Sequence, residues 1–291
     1  MSSNLDAAAL FSCKGLVAVI TGGSTGLGLM MAKALARNGA AKIFILSRRM
    51  AVLEAVAEEI GDDRVFPILA DVGDEESLIQ AVGRIRMKTS FVNLVIANAG
   101  IEGPATWDMG PLTPLSEVQS RLLAIPMAEC TNTCHINTTA AFYTAISMLD
   151  LLDAGNREGN VPQKSQVIAI SSAAAFSRKI SAGFPYSASK AAVVHMWKQL
   201  ATFLSPYAIR ANVYAPGIIS SEMSVPLLQS FGNDIQSGEE ISRFEMPVCR
   251  AGTEGDVAST ILYMASPAGA FLNGSILLSD GGRTSITPAA Y

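Results

Sequence analysis

The chain has 291 residues, 49% of them hydrophobic and 16% charged, with a formal net charge of −4. That balance supplies ample apolar surface for a large core and excludes a disordered chain. No basic stripe favours nucleic acid or an anionic membrane as partner, and no apolar run approaches the ~18 residues of a spanning helix. Residues 1–13 lack the basic segment and long apolar stretch of a secretory signal, and 288–291 carry no sorting address. A soluble cytoplasmic protein is expected.

Apolar, β-branched runs alternate with helical patterns along nearly the whole chain. Strands are predicted at 16–20, 42–46, 65–69, 92–97, 166–170, 209–214 and 275–278, and helices at 27–37, 50–60, 75–86, 135–152, 186–204 and 256–264. Gly39 and Gly61 stop the first two helices. The strands lack polar alternation, as strands covered on both faces do. The expectation is a single domain over 1–291, with its core at about 14–282. Its fold class is α/β, a doubly wound parallel sheet with helices on both faces, Rossmann-like.

Such sheets bind ligands at the carboxyl ends of their strands, so the chemistry should follow each strand. After the first comes Thr21-Gly22-Gly23-Ser24-Thr25-Gly26-Leu27-Gly28. Its glycines let the backbone approach a pyrophosphate, and the following helix offers a positive N-terminus. The spacing is Gly-x-x-x-Gly-x-Gly, not Gly-x-Gly-x-x-Gly. After the second strand an NAD site would want a carboxylate for the ribose; the chain has Ser47-Arg48-Arg49. Two guanidiniums could grip a 2′-phosphate, which points to NADP(H), or they form a solvated basic turn before the next helix. After the third, Asp71-Val72 either meets an adenine amino group or caps the next helix. After the fourth, Asn98-Ala99-Gly100 lets the chain pass close to a ribose or is an ordinary turn. Tyr186 and Lys190, four apart on a helix, share one face. A cation beside a phenol favours phenolate, so the tyrosine's pKa is expected to fall toward neutrality.

In this order the motifs resemble the short-chain dehydrogenase/reductase family over about 14–282: Thr21-Gly22-x-x-x-Gly26-x-Gly28, Asp71-Val72, Asn98-Ala99-Gly100, Asn137, Ser171-Ser172, Tyr186-x-x-x-Lys190 and Pro216-Gly217. The closing stretch 271–282 is similar to the family's final strand. The resemblance implies that Tyr186 is the catalytic acid/base and that Lys190 lowers its pKa and holds the nicotinamide ribose. Ser172 would hydrogen-bond the substrate oxygen, and Asn137 would anchor a water relaying protons toward Lys190. Pro216-Gly217-Ile218 would support the carboxamide, with Ser221, or alternatively Ser220, replacing the family's threonine. Ser172 stands fourteen residues before Tyr186, one more than the pattern, so either one residue is inserted between them or the local register differs. Ser171 is expected on the other side of the strand end.

The stretch 102–130 is longer than in the family's shorter members and carries Pro104, Pro111, Pro114 and Pro126, with Trp107 and Met109. It is read as a loop that either edges the active-site mouth or is a neutral insertion. Phe176, Phe184, Ile218, Met223, Leu227, Leu228 and Phe231 flank the catalytic positions and suggest an apolar pocket. Cys13, Cys130, Cys134 and Cys249 are read as buried reduced thiols, and no metal is assigned. His135 and His195 receive no role, His195 being read as packed among apolar neighbours.

These readings converge on NADPH-dependent reduction of a ketone on a hydrophobic small molecule of secondary metabolism. The alternatives are a 3-oxoacyl thioester reductase, for which Arg121, Arg178 and Lys179 are the only basic candidates at the mouth, and a non-catalytic NADP(H)-binding regulator. The helices at 135–152 and 186–204 are apolar around most of their circumference. A homodimer or homotetramer is therefore expected, with Trp197 at or near the interface, an assembly the resemblance also implies.

Overall fold

A computed structural model describes residues 5–61, 63–105, 109–110, 112–180, 182–225, 228 and 241–291. Its strands are β1 (Val17–Thr21), β2 (Lys42–Ser47), β3 (Val65–Leu69), β4 (Leu94–Ala97), β5 (Gln166–Ile170), β6 (Arg210–Pro216) and β7 (Ile276–Ser279). They form one sheet in the order β3-β2-β1-β4-β5-β6-β7, with every neighbouring pair parallel. Every position of β1, β5 and β6 is buried. Alternate residues of β1 serve opposite faces: Val17 and Val19 in one core cluster, Ala18 and Ile20 in the other. The chain runs outward from β1 in both directions, so a crevice opens between the ends of β1 and β4.

A short helix, α1 (Ala7–Leu10), precedes the sheet. Helices α2 (Gly26–Arg37), α3 (Met50–Ile60) and α10 (Glu254–Ala265) cover one face and bury Met31, Leu35, Leu53, Val56, Val257 and Ile261 against it. The other face packs against α4 (Glu75–Arg86), α7 (Ala140–Ile146), α8 (Leu149–Glu158) and α9 (Phe184–Phe203). A last turn, α11 (Arg283–Ile286), follows β7.

The stretch 102–130 is not a structureless loop. It holds α5 (Leu115–Leu123) and the start of α6 (Met127–Cys134). Pro114 and Pro126 stand just before these helices with φ of −56° and −61°, the angle the pyrrolidine ring imposes, so the prolines introduce helices instead of breaking them. The helix expected at 135–152 is also divided. A π-helical turn, His135–Thr139, joins α6 to α7, and Ser147 Oγ donates back to Thr144 O where α7 ends.

Trp197 is fully buried, its Nε1 donating to Val167 O at 3.4 Å, and Val193 is buried beside it. Trp197, expected at or near a subunit interface, thus has its side chain in the chain's own core and offers no surface to a partner. The outward positions of α9 include Ala188, Ala191, Ala192 and His195, so His195 is exposed and not packed. Of the cysteines only Cys13 is buried, and burial pushes its thiol up to about 12; Cys134 is exposed. Among the described residues no helix is long and apolar enough to cross a membrane.

Candidate active site

A cleft of about 370 Å³ lies at the carboxyl ends of β1, β4, β5 and β6. One wall is the glycine turn. Gly22 and Gly26 take φ of 66° and 52°, which favour glycine. A Cβ at Gly28 would overlap Gly22 O, so this position admits no side chain. Gly22 N–H donates to Leu46 O at 2.8 Å, and Asn98 Nδ2 donates to the carbonyls of Thr21 and Gly22 at 2.8 and 3.2 Å. Thr21 Oγ1 accepts from the N–H groups of Asn98 and Ala99, each at 3.1 Å. Asn98 thus clamps the end of β4 to the glycine turn, and Ala99 and Gly100 continue the cleft wall.

Thr25 is the N-cap of α2 but its side chain makes no cap hydrogen bond, and the first turn holds no acidic residue. A Cβ placed on Gly26 would meet nothing within 4 Å. Ser24, Thr25, Gly26 and Leu27 line the cleft there. First-turn N–H groups without a side-chain cap, at the positive end of a 12-residue helix and facing open space, fit a dinucleotide pyrophosphate.

The remaining expected nucleotide positions stand at the ends of β2 and β3, beside this turn and outside the cleft lining proper. Ser47 is half-buried, and its Oγ accepts from Arg49 N–H at 3.3 Å. Arg48 and Arg49 are exposed, and neither guanidinium engages another described residue. Asp71 and Val72 are half-buried, and Asp71 Oδ1 accepts from Gly73 N–H at 3.0 Å. Asp71 does not cap α4: Asp74 does, accepting from Ser77 N–H at 2.7 Å.

Opposite the glycine turn, Gly183 caps α9 with φ of 102° and Pro185 sets its first turn, which carries Tyr186. Lys190, one turn on, is buried, with its Nζ 5.8 Å from the Tyr186 ring centroid and donating to Ile170 O at 2.8 Å. Ser172 Oγ accepts from Ala174 N–H at 3.1 Å and is hydrogen-bonded to Tyr186. Ser171 Oγ instead donates to Lys190 O at 2.8 Å and fastens α9 to β5. Of the two serines, then, Ser172 is the partner of the tyrosine.

The charge states differ from the expectation. Burial raises the Tyr186 pKa; the Ser172 hydrogen bond lowers it and the nearby Glu102 charge raises it again. The phenol therefore does not fall toward neutrality, because desolvation of the phenolate outweighs what adjacency to Lys190 suggested. Burial also brings the Lys190 ammonium down to about 8.

Asn137 sits buried in the π-helical turn. Its Nδ2 donates to Ile101 O at 2.9 Å and Ser189 Oγ at 3.0 Å, and its Oδ1 accepts from Ile101 N–H at 2.8 Å. Both donors are used, which leaves one lone pair on Oδ1 or the main-chain carbonyl to hold a water. A Cβ at Gly100 would lie 3.0 Å from Asn137 Oδ1 and 3.3 Å from Lys190 Nζ, so the two groups converge over that glycine. At the end of β6, Pro216, Gly217 and Ile218 line the cleft, and Gly217 N–H donates to Ser279 O at 2.8 Å. Ser221 lines it too, whereas Ser220 N–H is drawn to Gly252 O.

The sequence reading missed Glu102, Arg283, Thr284 and Thr287, all of which line the cleft. Arg283 is buried, with Nη1 donating to Glu245 O at 2.8 Å and lying 3.2 Å from Glu245 Oε2. No spacing signal joins residues this far apart; only the Asn98-Ala99-Gly100 motif, just before Glu102, could have pointed to one of them. These polar groups stand in a pocket lining that is otherwise largely apolar, though few of the residues expected there supply it. Ile218 is in its wall, but Phe184 is exposed, Phe176 packs on Tyr291 and Leu228 packs with Ile241 and Met246. Trp107, Pro111, Leu227, Phe231 and the side chain of Met223 lie outside the described residues.

The sheet order, the glycine turn and the Ser172–Tyr186–Lys190 arrangement define a dinucleotide-binding oxidoreductase fold, and the chain belongs to the short-chain dehydrogenase family, whose model matches residues 16–230. That family comprises oxidoreductases acting on carbonyl and alcohol groups with nicotinamide cofactors. The chain is 45% identical to the short-chain dehydrogenase/reductase PhomF of Diaporthe leptostromiformis, over 100% of this chain and 99% of the relative. It is 29% identical to the rhamnolipids biosynthesis 3-oxoacyl-[acyl-carrier-protein] reductase of Pseudomonas aeruginosa, over 94% and 97% of the two chains. Among solved structures, the Pseudomonas aeruginosa RhlG/NADP active-site complex matches with a TM-score of 0.78 at 27% identity, over 94% of this chain and 98% of that one.

Proposed function

We propose that the protein is an NADPH-dependent reductase of a ketone on a hydrophobic small molecule, of the kind made in secondary metabolism. The observation that carries this reading is that Tyr186, Ser172 and Lys190 share one cleft with the open N-terminus of α2. Nicotinamide, when bound, supplies the hydride. Tyr186 and Ser172 donate hydrogen bonds to the carbonyl oxygen, and the Tyr186 proton passes to that oxygen as it gains negative charge. A phenol whose pKa is raised by burial is protonated at neutral pH, the state that reduction requires at its start. Lys190, fixed by Ile170 O with its Nζ 5.8 Å from the Tyr186 ring centroid, would hold the ribose, and Asn137 orders the approach to Lys190. Arg48 and Arg49 take the 2′-phosphate, since no other described residue occupies their guanidiniums.

A 3-oxoacyl thioester reductase is the second reading, favoured by the Pseudomonas relative. It calls for a basic mouth to receive an acidic carrier protein. Here Arg121 pairs with Glu117 at 2.9 Å, and Lys179 lies 3.5 Å from Glu245, which also engages Arg283; of the three candidates only Arg178 forms no ion pair with a described residue, a sparse patch for such a partner. The test is NADPH oxidation with hydrophobic ketones and with a 3-oxoacyl thioester. Turnover of the ketones is expected; turnover of the thioester alone would favour the second reading, and none with either would support a non-catalytic binder. Replacing Arg48 and Arg49 by alanine should raise KM for NADPH by roughly tenfold or more, the scale of a lost charged contact, and hardly change KM for NADH. Equal losses for both cofactors would remove the arginines from phosphate recognition.

A further inference from the structure

We propose that Glu102 reads a hydroxyl on the substrate: its carboxylate accepts a hydrogen bond from an alcohol or phenol carried alongside the carbonyl that Tyr186 and Ser172 hold. This rests on the reductase reading for the position of the carbonyl and adds the chemistry of the rest of the molecule.

Glu102 is placed by its neighbours. Ile101 is held at both its N–H and its carbonyl by Asn137, at 2.8 and 2.9 Å. Gly103, with φ of 70°, presses on Thr133, where a Cβ would overlap Oγ1. Pro104 O lies against Gly183, the N-cap of the helix that carries Tyr186. The chain is thus fixed on both sides of Glu102, which lines the cleft with Tyr186, near enough for its charge to act on the phenol.

The carboxylate itself has no hydrogen bond or ion pair with any described residue. The other cation of the cleft wall besides Lys190 is Arg283, and it is engaged by Glu245. Lys190 Nζ is directed to Ile170 O. Partial burial already disfavours the charged form of Glu102. An apolar substrate would desolvate it further with nothing in return, whereas a hydroxyl would supply the missing donor. A cleft meant for hydrocarbon alone gains nothing from a carboxylate in this wall.

The experiment compares the position isomers of hydroxytetralone with their methyl ethers, bicyclic ketones in which one methyl group replaces the hydroxyl proton; the Glu102→Leu comparison separates loss of the donor from the added bulk. Wild type should prefer at least one hydroxyl compound over its ether by roughly ten- to a hundredfold in kcat/KM, mainly through KM. Glu102→Leu should bring that ratio to about one, and Glu102→Gln, of the same shape with a neutral acceptor, to an intermediate value. Calorimetric binding of the same pairs to the NADP-loaded protein reads the preference without turnover. A binding preference that Glu102→Leu abolishes, in a protein that reduces none of the ketones, would keep the hydroxyl subsite and remove the reductase reading. The proposal is overturned by wild-type equality across all pairs in both rate and affinity. It is equally overturned by a preference that survives in Glu102→Leu, or by a fall in kcat alike for both members of each pair in Glu102→Gln, which would make Glu102 a proton donor instead.

Discussion

Lys190 is held in the fold against its own charge. It is 4% exposed, and burial lowers its pKa from the ordinary 10.5 to about 8. Below about pH 8 the amine is protonated in folded and unfolded chains alike, and the whole desolvation cost falls on the folded state. At ~1.36 kcal/mol per pH unit that cost is on the order of 3 kcal/mol. Between about pH 8 and 10.5 the unfolded chain binds more protons than the folded one, so this contribution makes stability rise with pH. Lys190→Met keeps the apolar stem and removes the charge. It also removes the bond to Ile170 O, which offsets about 1–2 kcal/mol of the gain. Without nucleotide, the variant should therefore be more stable than wild type by about 1–2 kcal/mol at neutral pH, and the advantage should vanish by about pH 10. Urea unfolding followed by tryptophan fluorescence measures both. Taking the difference between the two chains removes Cys13, which titrates alike in each. A variant less stable than wild type at neutral pH, or a difference that does not change with pH, would refute the reasoning. Turnover should be lost in the same variant, the exchange of stability for function expected of a site residue.

Tyr186→Phe should leave NADPH affinity nearly intact, by fluorescence titration, and lower turnover by a factor on the order of a hundred or more; ordinary turnover would remove Tyr186 from the mechanism. In wild type, reduction should hold through neutral pH and fall in alkali as the burial-raised Tyr186 phenol loses its proton; a fall beginning near neutrality would contradict that. Ser172→Ala should act on kcat with little change in melting temperature, whereas Ser171→Ala, which frees Lys190 O, should cost about 1 kcal/mol of stability, and the reverse pattern would exchange their roles. The chain is expected to form a homodimer or homotetramer by light scattering, and a charge at the exposed Ala192, not at buried Trp197, should split it; a monomer mass for wild type would sink that expectation.

What could be read from the sequence was what depends on short spacing. Buried strands show as unbroken apolar runs, and all seven lie close to the expected positions. The glycine turn and the Tyr186–Lys190 pair each fall within eight residues, so the local backbone sets their geometry. Pro114 and Pro126 misled because a proline is as compatible with starting a helix as with a loop, and only packing tells the two apart. Asp71 and Asp74 are equally good caps by residue type, and the position of Ser77 decided between them.

The charge states were beyond reach for a deeper reason. Spacing names the neighbours of a group, but desolvation depends on everything that encloses it. Here the enclosing residues run from Gly22 to Thr287. Burial raises Tyr186 and Glu102 and lowers Lys190, so it drives all three groups toward their neutral forms. Adjacency of a phenol and an amine predicts the opposite, an ion pair in the making. The consequence bears on function. Groups enclosed in this way respond strongly to a charge or a hydrogen-bond donor brought among them, because little water is left to screen it. On the proposed reductase reading, the ligands the cleft receives, and not the chain alone, decide when Tyr186 gives up its proton.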